Sequence, residues 1–504
     1  MRLGKAMLSL GSLTLISRLT GFVRDQMAAS FIGSGTLMDA FVIAFRLPNL
    51  FRALFAEGAF NSVFVPLFAR KLEESGKEQA RLMASKILLA FTLLLFVIVV
   101  VVEVFMPQVV NLIAGGQAID HGLAVYLARI MFPYMLIVAL ASAGAAMMNS
   151  LTKFIAASML PIILNLGMVV VLVFFHGYFA TPAHAYAYGV IFSGIVQLLW
   201  IGYFCYKNNI LPKFSWPAIT PETKIFFTRL LPGLMAAGVY QINVVLSTRL
   251  ASGIEGGNSW LYYADRLYQL PLGVIGIAAS TALLPIISRA LEAGEEKRAV
   301  ATQNRALEIT LILAFPCMVG LIIMGQLAIS TLFERGQFSA TDSLMVAKAV
   351  SAYAIGLPAA MIIRILSAGF FGRGDTQTPF YSAIFAVSIF VTCNAIFIRL
   401  LGYSHANIAL ASSVSIWGQA GLLWMLLDKK GLWWGSATLK SSIVKSALLA
   451  GLMGGILWLV QYYFPIDVLG FWQKLWSLLG LSFMALTIWF VGAKYLGLLK
   501  RFRS

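Results

Sequence analysis

Ionised side chains occur inside the apolar segments of this 504-residue chain. They lie at Arg18, Arg24, Asp25, Asp39, Arg46, Arg52, Glu103, Arg129, Arg249, Asp265, Arg266 and Arg364. Placing one charge at the centre of a bilayer costs about 2.5–3.5 kcal/mol on insertion scales. The first, second and eighth apolar segments carry five of the arginines against three aspartates. This surplus positive charge predicts a water-filled cavity or an anionic ligand.

The residue type narrows the ligand. Arginine keeps its charge, and its planar fork suits bidentate contact with phosphate or carboxylate. Acids are the minority, unlike the pattern expected of a proton-coupled transporter. We therefore expect a site for an anion, most plausibly a phosphate or pyrophosphate.

Helix geometry of about 100° per residue sorts these charges. Arg18 shares a helix face with Asp25, and Asp39 shares one with Arg46, because each pair is seven residues apart. In the second segment, "PN" at positions 48–49 interrupts the helical pattern, so Asn49 and nearby backbone groups require protein or water around them.

Ordinary structural roles compete with ligand binding for several of these residues. Arg24, Glu57, Arg129 and Arg249 lie near predicted segment ends, where the charged group reaches the interface by snorkelling. The aspartates at 25, 39 and 265 are equally suited to neutralising a neighbouring arginine. Cysteines and histidines are scattered singly, and no Walker, GxGxxG or HExxH motif occurs, so no metal site and no cofactor are expected.

Composition defines the class of protein. Hydrophobic residues make up 60% and charged residues 11% of the chain, against roughly a quarter charged in soluble domains. Segments of span length recur about fourteen times and predict an all-α polytopic membrane protein. The predicted spans are 6–31, 35–55, 82–107, 122–149, 155–177, 184–206, 226–250, 261–287, 301–325, 343–370, 378–400, 405–427, 441–463 and 471–496.

The basic residues indicate orientation. Nearly all the loop lysines and arginines fall on alternate connections and on both termini, which places both termini in the cytoplasm. The formal net charge of +17 therefore reflects topology, and no nucleic-acid partner is expected.

Two pairs of segments resemble each other at an offset of about 220 residues, which is the length of six spans. "FRLPNLFRALFAEGAFNSVFVPLFAR" (45–70) matches "DRLYQLPLGVIGIAASTALLPIISR" (265–289), and "LASAG" (140–144) matches "ILSAG" (365–369). Each of the last two follows a proline, Pro133 or Pro358. The repeat predicts an N-lobe at 1–210, a linker at 211–225, a C-lobe at 226–427 and two additional spans at 428–504.

Four segments resemble signatures of the MurJ (MviN) family. They are "SRLTGFVRDQMAASFIGSG", "DAFVIAFRLPNLFRALFAEGAFNSVFVP", "FPYMLIVALASAGAAMMNS" and "YYADRLYQLPLGVIGIAASTALLP". These are bacterial lipid II flippases of the multidrug/oligosaccharidyl-lipid/polysaccharide exporter superfamily. The resemblance extends from end to end.

The resemblance implies two six-helix lobes in a V around a central cationic cavity, with the last helix pair forming a groove for the lipid tail. It implies a transporter, not an enzyme, that moves undecaprenyl-pyrophosphate-linked disaccharide-pentapeptide from the cytoplasmic to the periplasmic leaflet by alternating access. It also implies a monomer in the bacterial inner membrane, in contact with membrane lipids, with the cell-wall synthesis machinery as a candidate partner.

The family's cavity arginines fall on Arg18, Arg24, Arg52 and Arg266, and its cavity acid falls on Asp39. With Arg46, Asn49 and Asp265 these residues are the substrate-binding candidates, and Asp25 and Glu57 are the charge-tuning or gating candidates. Arg46 stands where a lysine can occur, which keeps the charge. The cation-binding acids of some members are absent, since the corresponding spans offer Gln241, Asn243 and Asn394. The membrane potential or protons remain as driving forces.

Two other functions stay open. One is export of a different lipid-linked oligosaccharide or of drugs, although a cationic-drug exporter should have an acidic cavity. The other is a polyprenyl-phosphate glycosyltransferase, which would need an outward acidic pair, whereas the outward acids are singly placed.

Overall fold

The computed structural model describes residues 3–53, 59–213, 220–431, 437–464 and 470–502, and these residues form helices without any strand. Its contacts divide the chain into two compact units. Unit 1 comprises Met1–Ser259 with Arg335–Gln337, and unit 2 comprises Trp260–Glu334 with Phe338–Ser504. The short segment belongs to unit 1 because the Gln337 backbone N–H donates to the Ser30 carbonyl at 2.9 Å.

Unit 1 contains ten helices in its described part, followed by the start of α11. They are α1 (Leu3–Ile32), α2 (Thr36–Phe51), α3 (Ala59–Val104), α4 (Met106–Ile113), α5 (His121–Met131), α6 (Tyr134–Ser150), α7 (Phe154–Ser158), α8 (Leu160–Phe175), α9 (Pro182–Lys207) and α10 (Pro221–Ala251). Helix α10 packs against α3 inside this unit. The predicted lobe boundaries rest on the sequence repeat and stay a prediction.

Unit 2 contains the remaining helices, most of them long. They are α11 (Gly257–Pro271), α12 (Ala278–Glu292), α13 (Glu296–Phe333), α14 (Ala340–Ala354), α15 (Leu357–Gly372), α16 (Gln377–Leu401), α17 (His405–Lys429), α18 (Ala437–Tyr463) and α19 (Phe471–Tyr495). A π-helical stretch, Leu272–Ile277, joins α11 to α12, and a 3-10 turn, Leu498–Phe502, follows α19.

The membrane class predicted from composition is confirmed. Within the described ranges, ten helical stretches are long and apolar enough to span a bilayer, or eleven if the pair α14 and α15, bent by 42°, counts as one span. Helices α1, α2 and α10 lie outside this set, and α2 has only 16 residues. The count of fourteen spans stays a prediction.

Prolines interrupt two spans at positions that the sequence repeat pairs. Helix α5 ends at Met131 and α6 begins at Tyr134, with Pro133 between them. Helix α14 ends at Ala354 and α15 begins at Leu357, one residue before Pro358. Because proline lacks an N–H and crowds the preceding turn, the helix cannot continue through it unbent.

The longest polar stretches continue helices beyond the predicted spans. Helix α3 begins at Ala59, so residues 70–81 are helical apart from a kink at Gly76, where φ is 76°. Glycine tolerates this left-handed conformation. Helix α13 likewise begins at Glu296, ahead of the predicted span at 301. The sequence indicated the spans from hydropathy alone, which cannot register a polar helical extension.

Helix α13 contacts α18 and α19, here called the C-terminal helix pair, at two separated positions. In its first half, buried Glu308 accepts from Ser442 Oγ of α18 and pairs at 3.0 Å with Nε of Arg501, in the turn after α19. Just past its end, the Lys474 Nζ lies 3.0 Å from Glu334 Oε1. The two contacts are about 39 Å apart along the helix at 1.5 Å per residue.

Changing Lys474 to Met should lower the free energy of unfolding by about 1–2 kcal/mol. This value lies between those of exposed and fully buried ion pairs, because Lys474 is largely buried and Glu334 keeps only its Ser343 hydrogen bond. Detergent unfolding titrations would measure it. The control is Arg298→Met, which breaks an exposed pair with Glu295 and should cost less than about 1 kcal/mol. Equal effects of the two changes would contradict the expectation.

Candidate functional site

A buried charge cluster lies on α1 and α8, inside unit 1. Arg24 is 7% exposed, and its Nε and Nη2 atoms lie 3.0 and 2.6 Å from the same oxygen, Oδ1 of Asp25. Its Nη1 atom donates to Oδ1 of Asn165 at 3.0 Å. Three nitrogens of one guanidinium are therefore bound by two side chains from different helices.

The placement of Asp25 corrects the pairing expected from helix faces. That geometry paired Asp25 with Arg18, whereas the carboxylate binds Arg24, its neighbour in sequence. The helical angle locates Cα atoms only, and a long arginine side chain can bend around the helix to reach an adjacent position. Arg24, expected near a segment end, is instead buried within α1.

Arg18 has the opposite environment. Its side chain is exposed, and it forms no hydrogen bond or ion pair within the described ranges. An arginine on a membrane helix in this state is available to an external anion. Of the α1 arginines, Arg18 is thus the accessible one and Arg24 the one held by protein.

Asn49, Arg46 and Arg52 lie at the end of α2. Pro48 stands inside this helix, and Arg52 Nε donates to Asn49 Oδ1 at 3.2 Å just after it. Both Arg46 and Arg52 are half-buried. Glu57, the second gating candidate, lies outside the described residues. Asn49 therefore orients an arginine in this structure, and its contact with substrate stays a prediction.

Asp39 is fully buried on α2. Its Oδ2 accepts the Gly256 backbone N–H at 2.8 Å, and its Oδ1 accepts the Ser259 backbone N–H at 2.7 Å. Both donors belong to unit 1 and lie at the start of α11. Helix N-termini carry unpaired N–H groups and favour a carboxylate. The geometry gives Asp39 a role in holding this helix start, and a substrate contact stays a prediction.

The remaining candidates lie on α11 within unit 2. Arg266 is half-buried, and its guanidinium carbon lies 4.6 Å from the centre of the Tyr262 ring, a cation–π distance. Asp265 accepts a hydrogen bond from Gln269 one turn later. Arg364, on α15, is exposed.

Sequence reasoning missed Asn165. Its Nδ2 donates to the Ser17 carbonyl at 3.2 Å and to Thr20 Oγ1 at 3.4 Å, while its Oδ1 accepts a hydrogen bond from Arg24. The available signal was a single amide in the apolar run "LPIILNLGMVVVLVFF". A polar side chain inside a membrane helix usually hydrogen-bonds to a neighbouring helix.

A bundle of long apolar helices with arginines on several of them defines a multi-pass membrane protein with a candidate anion site. Comparisons with known proteins then identify the family. A sequence model described as "Lipid II flippase MurJ" matches residues 28–475. The chain belongs to the MurJ family, which confirms the resemblance seen in the sequence, and it is a transporter, not an enzyme.

Individual relatives align over most of their length. The "Probable lipid II flippase MurJ" of Rhizobium meliloti (strain 1021) is 39% identical over 97% of this chain and 91% of its own length. The "Lipid II flippase MurJ" of Burkholderia cenocepacia is 32% identical over 86% of this chain and 85% of its own.

One solved structure agrees with this assignment, and a second shares the fold. "Lipid II flippase MurJ, inward closed conformation" superposes with a TM-score of 0.81 at 26% identity, covering 97% of this chain and 98% of that one. An inward-facing multidrug resistance MATE family transporter of the MOP superfamily gives 0.69 at 16% identity, over 82% and 95% of the two chains. The second likeness concerns the fold alone.

Proposed function

We propose that this chain translocates lipid II, the undecaprenyl-pyrophosphate-linked disaccharide-pentapeptide, from the cytoplasmic to the periplasmic leaflet of the bacterial inner membrane. The observation that carries the proposal is the match of the lipid II flippase family to residues 28–475. Relatives of that name align with 86–97% of the chain. The translocated molecule supplies peptidoglycan synthesis.

In this proposal, arginines bind the pyrophosphate. Arg18 offers an exposed guanidinium, Arg24 is oriented by its two partners, and Arg52 is oriented by Asn49. Arg266 contributes from α11. Bidentate arginine contacts match the geometry of phosphoryl oxygens. The cationic surplus at membrane depth would otherwise be costly, which supports an anionic substrate.

Alternating access moves the head group, while the lipid tail stays in an apolar environment. Both termini lie in the cytoplasm, and the protein acts as a monomer. Large exposed apolar side chains on the C-terminal helix pair, including Leu452, Phe483 and Phe490, support contact with the tail. Moving one net charge through the membrane field is worth about 2.3 kcal/mol per 100 mV, so the potential can bias the cycle.

The test uses Arg18→Ala, since loss of an exposed, unpaired side chain should leave folding intact. Cells depleted of their own flippase should lose growth support, and labelled lipid II should stay in the cytoplasmic leaflet. Changing all four arginines to alanine should abolish both growth support and lipid II translocation. These arginines are Arg18, Arg24, Arg52 and Arg266. The matched control is Arg399→Ala, an exposed arginine in the last turn of α16, which should retain activity.

The leaflet assay separates the alternatives. Full lipid II translocation by the fourfold variant, inserted at normal levels, would refute the arginine assignment. Failure of the unmodified protein to expose lipid II to the outer leaflet would refute the function itself. Export of another lipid-linked oligosaccharide or of a cationic dye in its place would indicate a different transport role.

A further inference from the structure

Three contacts of the Arg24 guanidinium differ in their effect. Two of its nitrogens, Nε and Nη2, bind a single oxygen of Asp25. A group bound through one acceptor atom can still pivot about that atom. The third contact, from Nη1 to Asn165 Oδ1 at 3.0 Å, lies on the far side of the fork and fixes the guanidinium plane.

The orientation of the Asn165 amide follows from the chemistry of its partners. Arg24 can only donate, so it requires the amide oxygen. The Ser17 carbonyl can only accept, so it requires the amide nitrogen. If the amide were flipped, its nitrogen would face the Arg24 donor and its oxygen would face the Ser17 carbonyl acceptor, so neither hydrogen bond could form. Asn165 is thus oriented by α1 backbone and in turn orients an α1 side chain.

The surroundings leave little freedom for this contact to change. Asn165 is 7% exposed. A Cβ atom on Gly21, one turn before Arg24, would lie 3.2 Å from Asn165 Nδ2, so the glycine allows α8 to approach α1 at this level. An amide also supplies the acceptor without adding negative charge, which leaves the positive surplus of the arginines unchanged.

We propose that Asn165 is a positioning residue that orients Arg24 toward the pyrophosphate of the substrate. This inference rests on the proposed function, because it requires an anionic substrate at Arg24. Asn165 acts through Arg24 and need not touch the substrate. Its loss should weaken substrate binding as well as the fold, whereas loss of a buried amide that does not contact Arg24 should weaken the fold alone.

The measurement is the dissociation constant for fluorescent lipid II in nanodiscs, together with the melting temperature. Asn165→Ala should raise the dissociation constant about tenfold, because the misoriented Arg24 guanidinium would lose one charge-assisted hydrogen bond to the pyrophosphate. The matched control is Gln197→Ala. Gln197 is a similarly buried amide of unit 1 whose contacts are with the Tyr134 hydroxyl and the Leu160 carbonyl and not with Arg24. The Gln197→Ala change should lower the melting temperature and change the dissociation constant for lipid II by less than about twofold.

A double-mutant cycle tests whether Asn165 acts through Arg24. Lysine at position 24 keeps the charge but cannot form the three-contact arrangement. In an Arg24→Lys background, Asn165→Ala should therefore weaken lipid II binding by less than about twofold, because interacting residues are non-additive.

Each result has a defined meaning. Unchanged lipid II binding by Asn165→Ala would overturn the inference alone. An equal loss of binding in Gln197→Ala, or the full tenfold effect in the Arg24→Lys background, would also overturn it and assign Asn165 to helix packing. Absence of lipid II binding by the unmodified protein would overturn the proposed function, and this inference with it.

Discussion

Asp25→Ala is expected to lower the free energy of unfolding by about 3–5 kcal/mol. The carboxylate accepts from two nitrogens of Arg24, and both side chains are nearly inaccessible, at 9% and 4% exposure. Removing the acid leaves a guanidinium buried with its charge uncompensated, and burying an unpaired charge is costly. Detergent unfolding titrations measure this loss, and flipping should fall with it.

A second variant separates stability from transport. Replacing the pair together, as Arg24→Met with Asp25→Ala, removes both charges and should recover most of the lost stability. Lipid II translocation should stay impaired, because the proposed anion-binding group is absent. The exposed control is Glu74→Ala, which breaks the Arg70–Glu74 pair and should cost less than about 1 kcal/mol. A double variant that remained as unstable as Asp25→Ala would refute the buried-charge explanation.

Asp39→Ala is expected to cost about 2–5 kcal/mol. The change leaves the Gly256 and Ser259 backbone N–H groups buried without their acceptor, and each such loss costs about 1–3 kcal/mol. Asp39→Asn keeps one acceptor oxygen and should give an intermediate loss. The same unfolding titration measures all variants.

A matched helix-capping aspartate provides the control. Asp120 accepts the Leu123 N–H at the start of α5 but is exposed, so Asp120→Ala should cost about 1 kcal/mol. If Asp39→Ala lowered the free energy of unfolding by no more than Asp120→Ala does, burial would not explain the strength of the Asp39 contacts. If Asp39→Ala kept full stability and lost only lipid II binding, the carboxylate would be a substrate ligand with no part in holding α11.

The extent to which sequence predicts this fold depends on the range of the interactions. Apolar runs identify membrane helices because each helix satisfies its backbone hydrogen bonds internally. Pro133 and Pro358 mark breaks because proline acts on its own turn. The helicity of the polar stretch 70–81 within α3 was not predicted, since hydropathy identifies helix that contacts lipid and gives no signal for helix outside the membrane.

The sequence predicted which residue types form the candidate site, but it did not predict which side chains pair with one another. The sequence indicated that the α1 arginines matter, but the choice of Arg24 for Asp25 depends on side-chain length and rotamer. Asn165 lies 141 positions from Arg24, and Ser259 lies 220 positions from Asp39. Such pairings arise from tertiary packing, which no local periodicity encodes.

The two contacts of α13 with the C-terminal helix pair restrict how that pair can move. A single contact would act as a hinge, whereas two contacts about 39 Å apart along the helix also oppose rotation about either point. Helices α13, α18 and α19 are therefore joined at two separated positions within unit 2. A lipid tail held by the last two helices would be displaced together with α13, so tail movement and head-group transport would share one mechanical step.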